Sequence, residues 1–259
     1  MKIYFIRHSD TFATEKGLIQ GSANGEQNFL SPAGKKKLRE KTIPEIERIM
    51  RRNRGKEIMV YSGVQQRHYD TLIPILNMLS SEFGYVSDVR HLVLDDRLNG
   101  RDYGKLEGEP EAELRKKKNL IFKPSKTWSY LLAQAGFANM ARIEKKSDYE
   151  QKVFDMIYEI FASRKKNQVV FVVAGSDFFK TMQRCKDIAR LCYFGDEEID
   201  ISPKANGLRS TMKIGTGEVK PIIIEKPVYV ESRDRFMSTP EKYATQKFIE
   251  SGNLGYIKA

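Results

Sequence analysis

Cysteine and histidine, the side chains most used for covalent and metal chemistry, are scarce in this 259-residue chain: it holds two of the first and three of the second. Cys185 and Cys192 stand seven apart in a stretch with helical spacing. They read as small core residues, which excludes a disulfide framework and a thiol-rich metal site. Long apolar runs are missing too. No segment approaches the ~20 residues a membrane helix needs, and the apolar stretch at the N-terminus is too short for a secretory signal. The expectation is a cytoplasmic protein with no membrane partner. No internal repeat, low-complexity segment or nucleic-acid-binding signature is visible.

Charge, by contrast, is plentiful and one-sided. Forty-five basic against 34 acidic residues give a net charge of +11. The excess is clustered in KKKLREK at 35–41, RIMRRNRGK at 48–56, LRKKKN at 114–119 and SRKKN at 163–167. Lysine and arginine favour the last turn of a helix, so solvated helix ends are one reading. A basic surface that meets an acidic or nucleic-acid partner is the other.

Short runs rich in Val, Ile and aromatics occur at 2–7, 57–62, 89–94 and 168–175, and they read as strands buried on both faces. Between them, apolar residues recur at helical spacing over 32–52, 66–80, 147–163 (with Ser147-Asp148 as N-cap) and about 177–193. Strand alternating with helix predicts an α/β domain: three layers, a mainly parallel central sheet and helices on both faces. A single domain spanning 1–227 is expected, carrying a Lys-rich helical insertion at about 109–146. Residues 228–259 are expected to be a C-terminal extension.

Ligands of open α/β sheets bind beyond the carboxyl ends of the strands. Arg7-His8 closes the first strand, Ser62 to Arg67 follow the second, Asp95 to Tyr103 the third, and Gly175-Ser176-Asp177 the fourth. Two arginines and a histidine in one crevice outline a phosphate site. Guanidinium forks bind phosphoryl oxygens, and a neutral imidazole attacks phosphorus. With one crevice histidine and no carboxylate cluster, neither a metal nor a cofactor is expected.

The motifs carried by these loops resemble the histidine phosphatase superfamily, which includes the cofactor-dependent phosphoglycerate mutases. Arg7-His8-Ser9-Asp10-Thr11 is similar to the family's Arg-His-Gly-Glu-Thr, and Leu30-Ser31-Pro32-Ala33-Gly34 to its Leu-Thr-Pro-x-Gly. Ser62, Arg67 and Thr71 follow its Ser…Arg-x-x-x-Thr pattern with one extra residue. The segment from Leu98 to Gly108 looks like Leu-Asn-Glu-Arg-x-Tyr-Gly-x-Leu-x-Gly. The resemblance implies a phosphoglycerate mutase-like fold, a phosphohistidine at His8 and a phosphoryl clamp of Arg7 and Arg67. It also sets Thr14, Ser176 and Arg101 among the residues that bind substrate, a phosphate or phosphorylated small molecule.

The pattern then fails twice. Gly100 takes the place of the glutamate that protonates the leaving oxygen. The second histidine, expected after the last core strand, is replaced by Gly175 or Ser176 depending on a one-residue choice of register. His91 is read as lying within a strand, and His68 at the start of a helix, with neither available to substitute. Losing a general acid costs roughly 10²–10⁴ in rate, and losing a transition-state donor roughly 10²–10³.

The leading reading is therefore a pseudoenzyme-like member that keeps the phosphate pocket as a binder or scaffold with impaired or absent turnover. An active phosphomonoester hydrolase is the alternative, with Asp177 or Asp102 as acid; a plain helix N-cap and an ion pair with Arg101 are the ordinary readings of those carboxylates. A third reading is a basic subunit of a larger, nucleic-acid-containing assembly, with Trp128 and Phe178-Phe179 as partner contacts or as core.

Overall fold

The protein is described from a computed structural model that defines residues 2–113, 142–163, 167–182 and 214–223. Five strands make one sheet: β1 (Lys2–Arg7), β2 (Glu57–Ser62), β3 (Leu92–Leu94), β4 (Gln168–Ala174) and β5 (Val219–Ile223). Their spatial order is β3-β2-β4-β1-β5. β4 pairs in parallel with both β1 and β2, β3 pairs in parallel with β2, and β5 runs antiparallel to β1.

Helices cover both faces, as the alternating pattern predicts. α1 (Phe12–Glu15), α2 (Pro32–Lys37), α3 (Ile43–Arg51), α4 (Gln66–Phe83) and α5 (Lys146–Ala162) are joined by a helical start at 176–182. Strand parity divides the core. Ile6, Val60, Phe171 and Val173 pack toward Leu38, Ile46, Leu72 and Leu76. Phe5, Tyr61 and Val172 face Val153, Ile157, Phe178 and Phe179 on the other side. Such two-sided burial explains why these strands are apolar throughout.

Several local expectations change. The helix expected over 32–52 holds a π-helical turn at Leu38–Thr42 between α2 and α3. That extra residue aims the Thr42 hydroxyl at the carbonyl of Gly217, to which it donates at 2.5 Å. α5 starts one residue early, capped by Lys145, and Ser147 donates to Asp148 instead of capping. β3 is only three residues long. His91 precedes it in a turn, held through Nδ1 to Asp88 at 2.9 Å. Phe178 and Phe179 are core: both are fully buried, and Phe179 lies 4.8 Å from Phe5 between ring centroids. Aromatic pairs of this kind add about 0.5–1.5 kcal/mol beyond the area they bury.

β5 closes the sheet. Its lead-in is tied down by Arg7 Nη1 donating to the Ile214 carbonyl (3.0 Å) and Lys37 Nζ donating to Thr216 Oγ1 (3.0 Å). No helix among the described residues is long and apolar enough to cross a membrane. Cys185, Cys192, Trp128, most of the 109–146 insertion and the 228–259 extension lie outside the described residues.

Candidate functional site

Parallel pairing of β1 with β4 sets Arg7 beside Ala174, and the His8 amide donates to the Ala174 carbonyl at 3.3 Å. The loop after β4 therefore starts next to the loop after β1. Arg67 enters from the first turn of α4, and Gly100, Arg101 and Tyr103 from the segment after β3. Together they line a cavity of about 390 Å³ at the carboxyl edge of the sheet.

His8 is buried at its floor. Its Nδ1 lies 2.9 Å from the Ser9 carbonyl, which can only accept, so Nδ1 carries the proton and Nε2 the lone pair. Burial holds the imidazole well below its ordinary 6.5, and the charges of Arg67 and Arg7 push the same way, against the Ser9 bond. A neutral, singly tautomeric ring results, which is the nucleophilic form.

The two guanidinium groups are partly spent on backbone. Arg67 donates through Nη2 to the Gly21 carbonyl (2.6 Å) and Gln65 Oε1 (2.5 Å), and through Nη1 to the Ala23 carbonyl (3.1 Å). Burial lowers Arg67 to about 10, still cationic at neutral pH, with Glu107 and Asp177 opposing. Arg7 is also lowered by burial, with Asp177, Asp10 and Glu218 opposing. The Nε atoms of both arginines are buried with no hydrogen-bond partner among the described residues. Two guanidinium cations lining one cavity with a neutral imidazole acceptor suit a tetrahedral oxyanion.

Asp177 is the carboxylate nearest this pair in effect. Its Oδ2 accepts from the Tyr103 hydroxyl at 3.0 Å, and Lys180 Nζ is 3.6 Å from Oδ1. Gly100 and Gly175 face each other across the cavity. A Cβ built on Gly175 would meet nothing closer than the Cα of Gly100, at 3.9 Å. A Cβ on Gly100 would instead overlap the Gly21 carbonyl oxygen and stand 2.9 Å from Arg67 Nη2.

This geometry can be set beside known proteins. A sequence model described as histidine phosphatase superfamily (branch 1) matches residues 3–185. The chain belongs to that superfamily. "Putative phosphoserine phosphatase 2" of Hydrogenobacter thermophilus is 23% identical over 176 residues, covering 68% of this chain and 74% of that protein. Among solved structures, a mycobacterial glucosyl-3-phosphoglycerate phosphatase complexed with VO3 superposes with a TM-score of 0.55. It is 16% identical and covers 85% of this chain and 91% of its own. Bacillus stearothermophilus YhfR gives 0.57 at 18% identity, covering 89% and 96%. These likenesses establish the mutase-like fold.

Within the superfamily fold, most residues picked from sequence line the cavity: Arg7, His8, Thr14, Arg67, Ser176 and Asp177. Thr14 is held by Gln20 Nε2, which donates to its hydroxyl at 2.7 Å. Arg101 lines the wall too, but its guanidinium donates to the Glu144 carbonyl from Nε (3.0 Å) and Nη2 (2.5 Å). Asp102 is not among the lining residues. It accepts from the Gly104 amide at 2.6 Å, and Arg101 turns away from it to Glu144. The helical segment starts at 176, so Asp177 sits inside its first turn and is not the cap. Gly175 directly follows the β4 end that pairs with Arg7, and a Cβ there would make only an ordinary contact with the Cα of Gly100.

Sequence reasoning missed three groups. Glu111 lines the cavity although no motif marks it. Tyr149 joins the wall from α5, donating its hydroxyl to the Asn99 carbonyl at 3.1 Å. His68 is fully buried, its ring 5.6 Å from that of His8. Only its place directly after Arg67, in the loop-facing first turn of α4, could have drawn attention to it.

Proposed function

We propose that this chain binds a phosphomonoester through Arg7, His8 and Arg67, with phosphatase turnover impaired relative to an ordinary member of its superfamily. The observation that carries this reading is the facing pair Gly100 and Gly175. Where the family resemblance expects a glutamate and an imidazole, the cavity presents two bare backbones in contact range. A neutral imidazole and two arginine cations lining one cavity support the trap. Phosphatase names among its relatives support a phosphomonoester as the ligand class.

Binding and transfer then separate. A phosphoryl group on the floor is held by both arginines, with His8 Nε2 placed to take it. The leaving oxygen needs a proton, and the developing charge needs a further donor. Without both, turnover falls by roughly 10⁴ if the two effects are independent, and by less if they act as a unit.

A second reading has its own observation. Asp177 lines the cavity and is oriented by the Tyr103 hydroxyl. As the acid for the leaving group it would restore turnover, with Ser176 as a hydroxyl donor.

The test pairs two measurements. Orthovanadate at 100 times its dissociation constant stabilises the folded chain by about 2.7 kcal/mol, and the gain vanishes in Arg7→Gln. An aryl phosphate is turned over only slowly between pH 4 and 8. Brisk hydrolysis lost in both His8→Ala and Asp177→Asn would establish the second reading instead. No vanadate stabilisation would overturn both.

A further inference from the structure

Among the described residues a strongly one-sided surface lies on α2, the π turn, α3 and the turn that follows, none of whose residues lines the cavity. Residues 35–56 contain ten basic and three acidic side chains, a surplus of seven in a chain whose total is +11. Leu38, Ile46, Ile49 and Met50 are spent on the core, so the charged side is forced outward. Glu45 and Glu47 are matched to Arg48 and Arg51 along the helix, and Glu40 to Lys36. Lys35, Arg39, Lys41, Arg52 and Arg54 are all exposed and have no ion-pair partner among the described residues.

At 1.5 Å per residue the helical part alone spans about 30 Å. Uncompensated charge spread over that length is costly unless an extended polyanion meets it. The composition narrows which one. Residues 35–56 contain no aromatic side chain, so unpaired bases have nothing to stack on. Among the described residues the exposed large apolar ones are Phe12, Phe29, Val86 and Val89, none of them on this face, so the ridge offers no wedge for a lipid surface or seat for a peptide side chain. A ridge of cations without stacking or insertion groups matches a regular phosphate backbone.

We infer that the α2–α3 ridge is a sequence-independent docking surface for double-stranded nucleic acid, gripping its backbone through Lys35, Arg39, Lys41, Arg52 and Arg54. The assignment is independent of what the cavity does.

Fluorescence anisotropy on the full chain tests it, using labelled 24-base-pair DNA and RNA duplexes of mixed sequence at 50 and 200 mM NaCl. Five backbone contacts predict a DNA affinity that falls about 500-fold between those salts. The triple variant Arg39→Gln, Arg52→Gln, Arg54→Gln reduces that dependence to about 12-fold, with an unchanged melting temperature because all three are exposed. Lys116→Gln, Lys117→Gln, Lys118→Gln, in another cluster, leaves binding as it was. The RNA arm shows which duplex is preferred, and binding to either supports the ridge. Absent or salt-indifferent binding overturns the assignment. So does loss of binding in the Lys116–118 variant but not in the ridge variant, or binding to phosphatidylserine vesicles or polyglutamate with none to either duplex.

Discussion

His68 packs, tilted, behind His8 because residue 63 is glycine. The two rings are 5.6 Å apart, and a Cβ at Gly63 would overlap His68 Nδ1, stand 2.7 Å from Cε1 and 2.8 Å from Asn99 Oδ1. His8 is thus backed by a second buried imidazole that a single missing carbon makes room for.

Gly63→Ala should cost about 1–3 kcal/mol as an overpacked core. In a His68→Ala background the same change should cost little, since the obstacle is gone. Urea unfolding of the two single variants and the double variant measures the coupling. Equal costs in both backgrounds would mean that the ring is free to move aside.

Acid should destabilise the fold well before carboxylates titrate. His8 and His68 are both held well below the ordinary 6.5, first by burial and then by Arg67. The unfolded chain therefore binds protons that the folded chain refuses. Above about pH 6.5 neither state is protonated and there is no penalty. As pH falls through 6.5, stability drops by about 1.4 kcal/mol per pH unit for each histidine until the folded-state values are reached. The double variant His8→Asn, His68→Asn should flatten the profile between pH 6.5 and 5, read by urea midpoints at each pH.

The two facing glycines should respond in opposite ways. Gly175→His has room at its Cβ, so it should fold normally and raise aryl-phosphate turnover by about 10²–10³, the usual worth of one transition-state donor. Gly100→Glu must displace the Gly21 carbonyl or Arg67, so it should lower the melting temperature and weaken vanadate binding instead of restoring an acid. Kinetics and thermal melts on each single variant separate these outcomes. A Gly100→Glu chain of undiminished stability would show that the Gly21 loop yields.

Thr42→Val removes the hydroxyl that donates to the Gly217 carbonyl while keeping the shape. It leaves a buried acceptor short of a partner and should cost about 1–3 kcal/mol. Hydrogen exchange should report the loss first at the Val219 and Lys220 amides.

What could be read in advance follows from how far each interaction reaches along the chain. The parallel strands announce themselves by apolar runs, and Arg7-His8 by its place at a strand end, because both are local. The cavity at the carboxyl edge of the sheet followed from motifs at successive strand ends. His68 could not be read this way: a histidine one step past Arg67 looks like helix surface until the fold brings it under His8, sixty residues away. The role of Gly63 is a through-space fit, invisible to spacing. Asp102 failed for a similar reason. Its nearest amide, at Gly104, captures the carboxylate in a turn. That Gly175 follows directly on the strand end beside Arg7 needed the β1–β4 pairing, which is set across the sheet.

β5 has one more consequence. Among the described residues its one neighbour is β1, and it arrives more than thirty residues beyond the span matched by the family model. Truncation near residue 185 for expression would strip the guard from Ile3–Arg7 and leave an apolar strand with open hydrogen-bonding groups. Such an edge invites another copy to pair, so a shortened chain should emerge as oligomer or precipitate even with every cavity residue present.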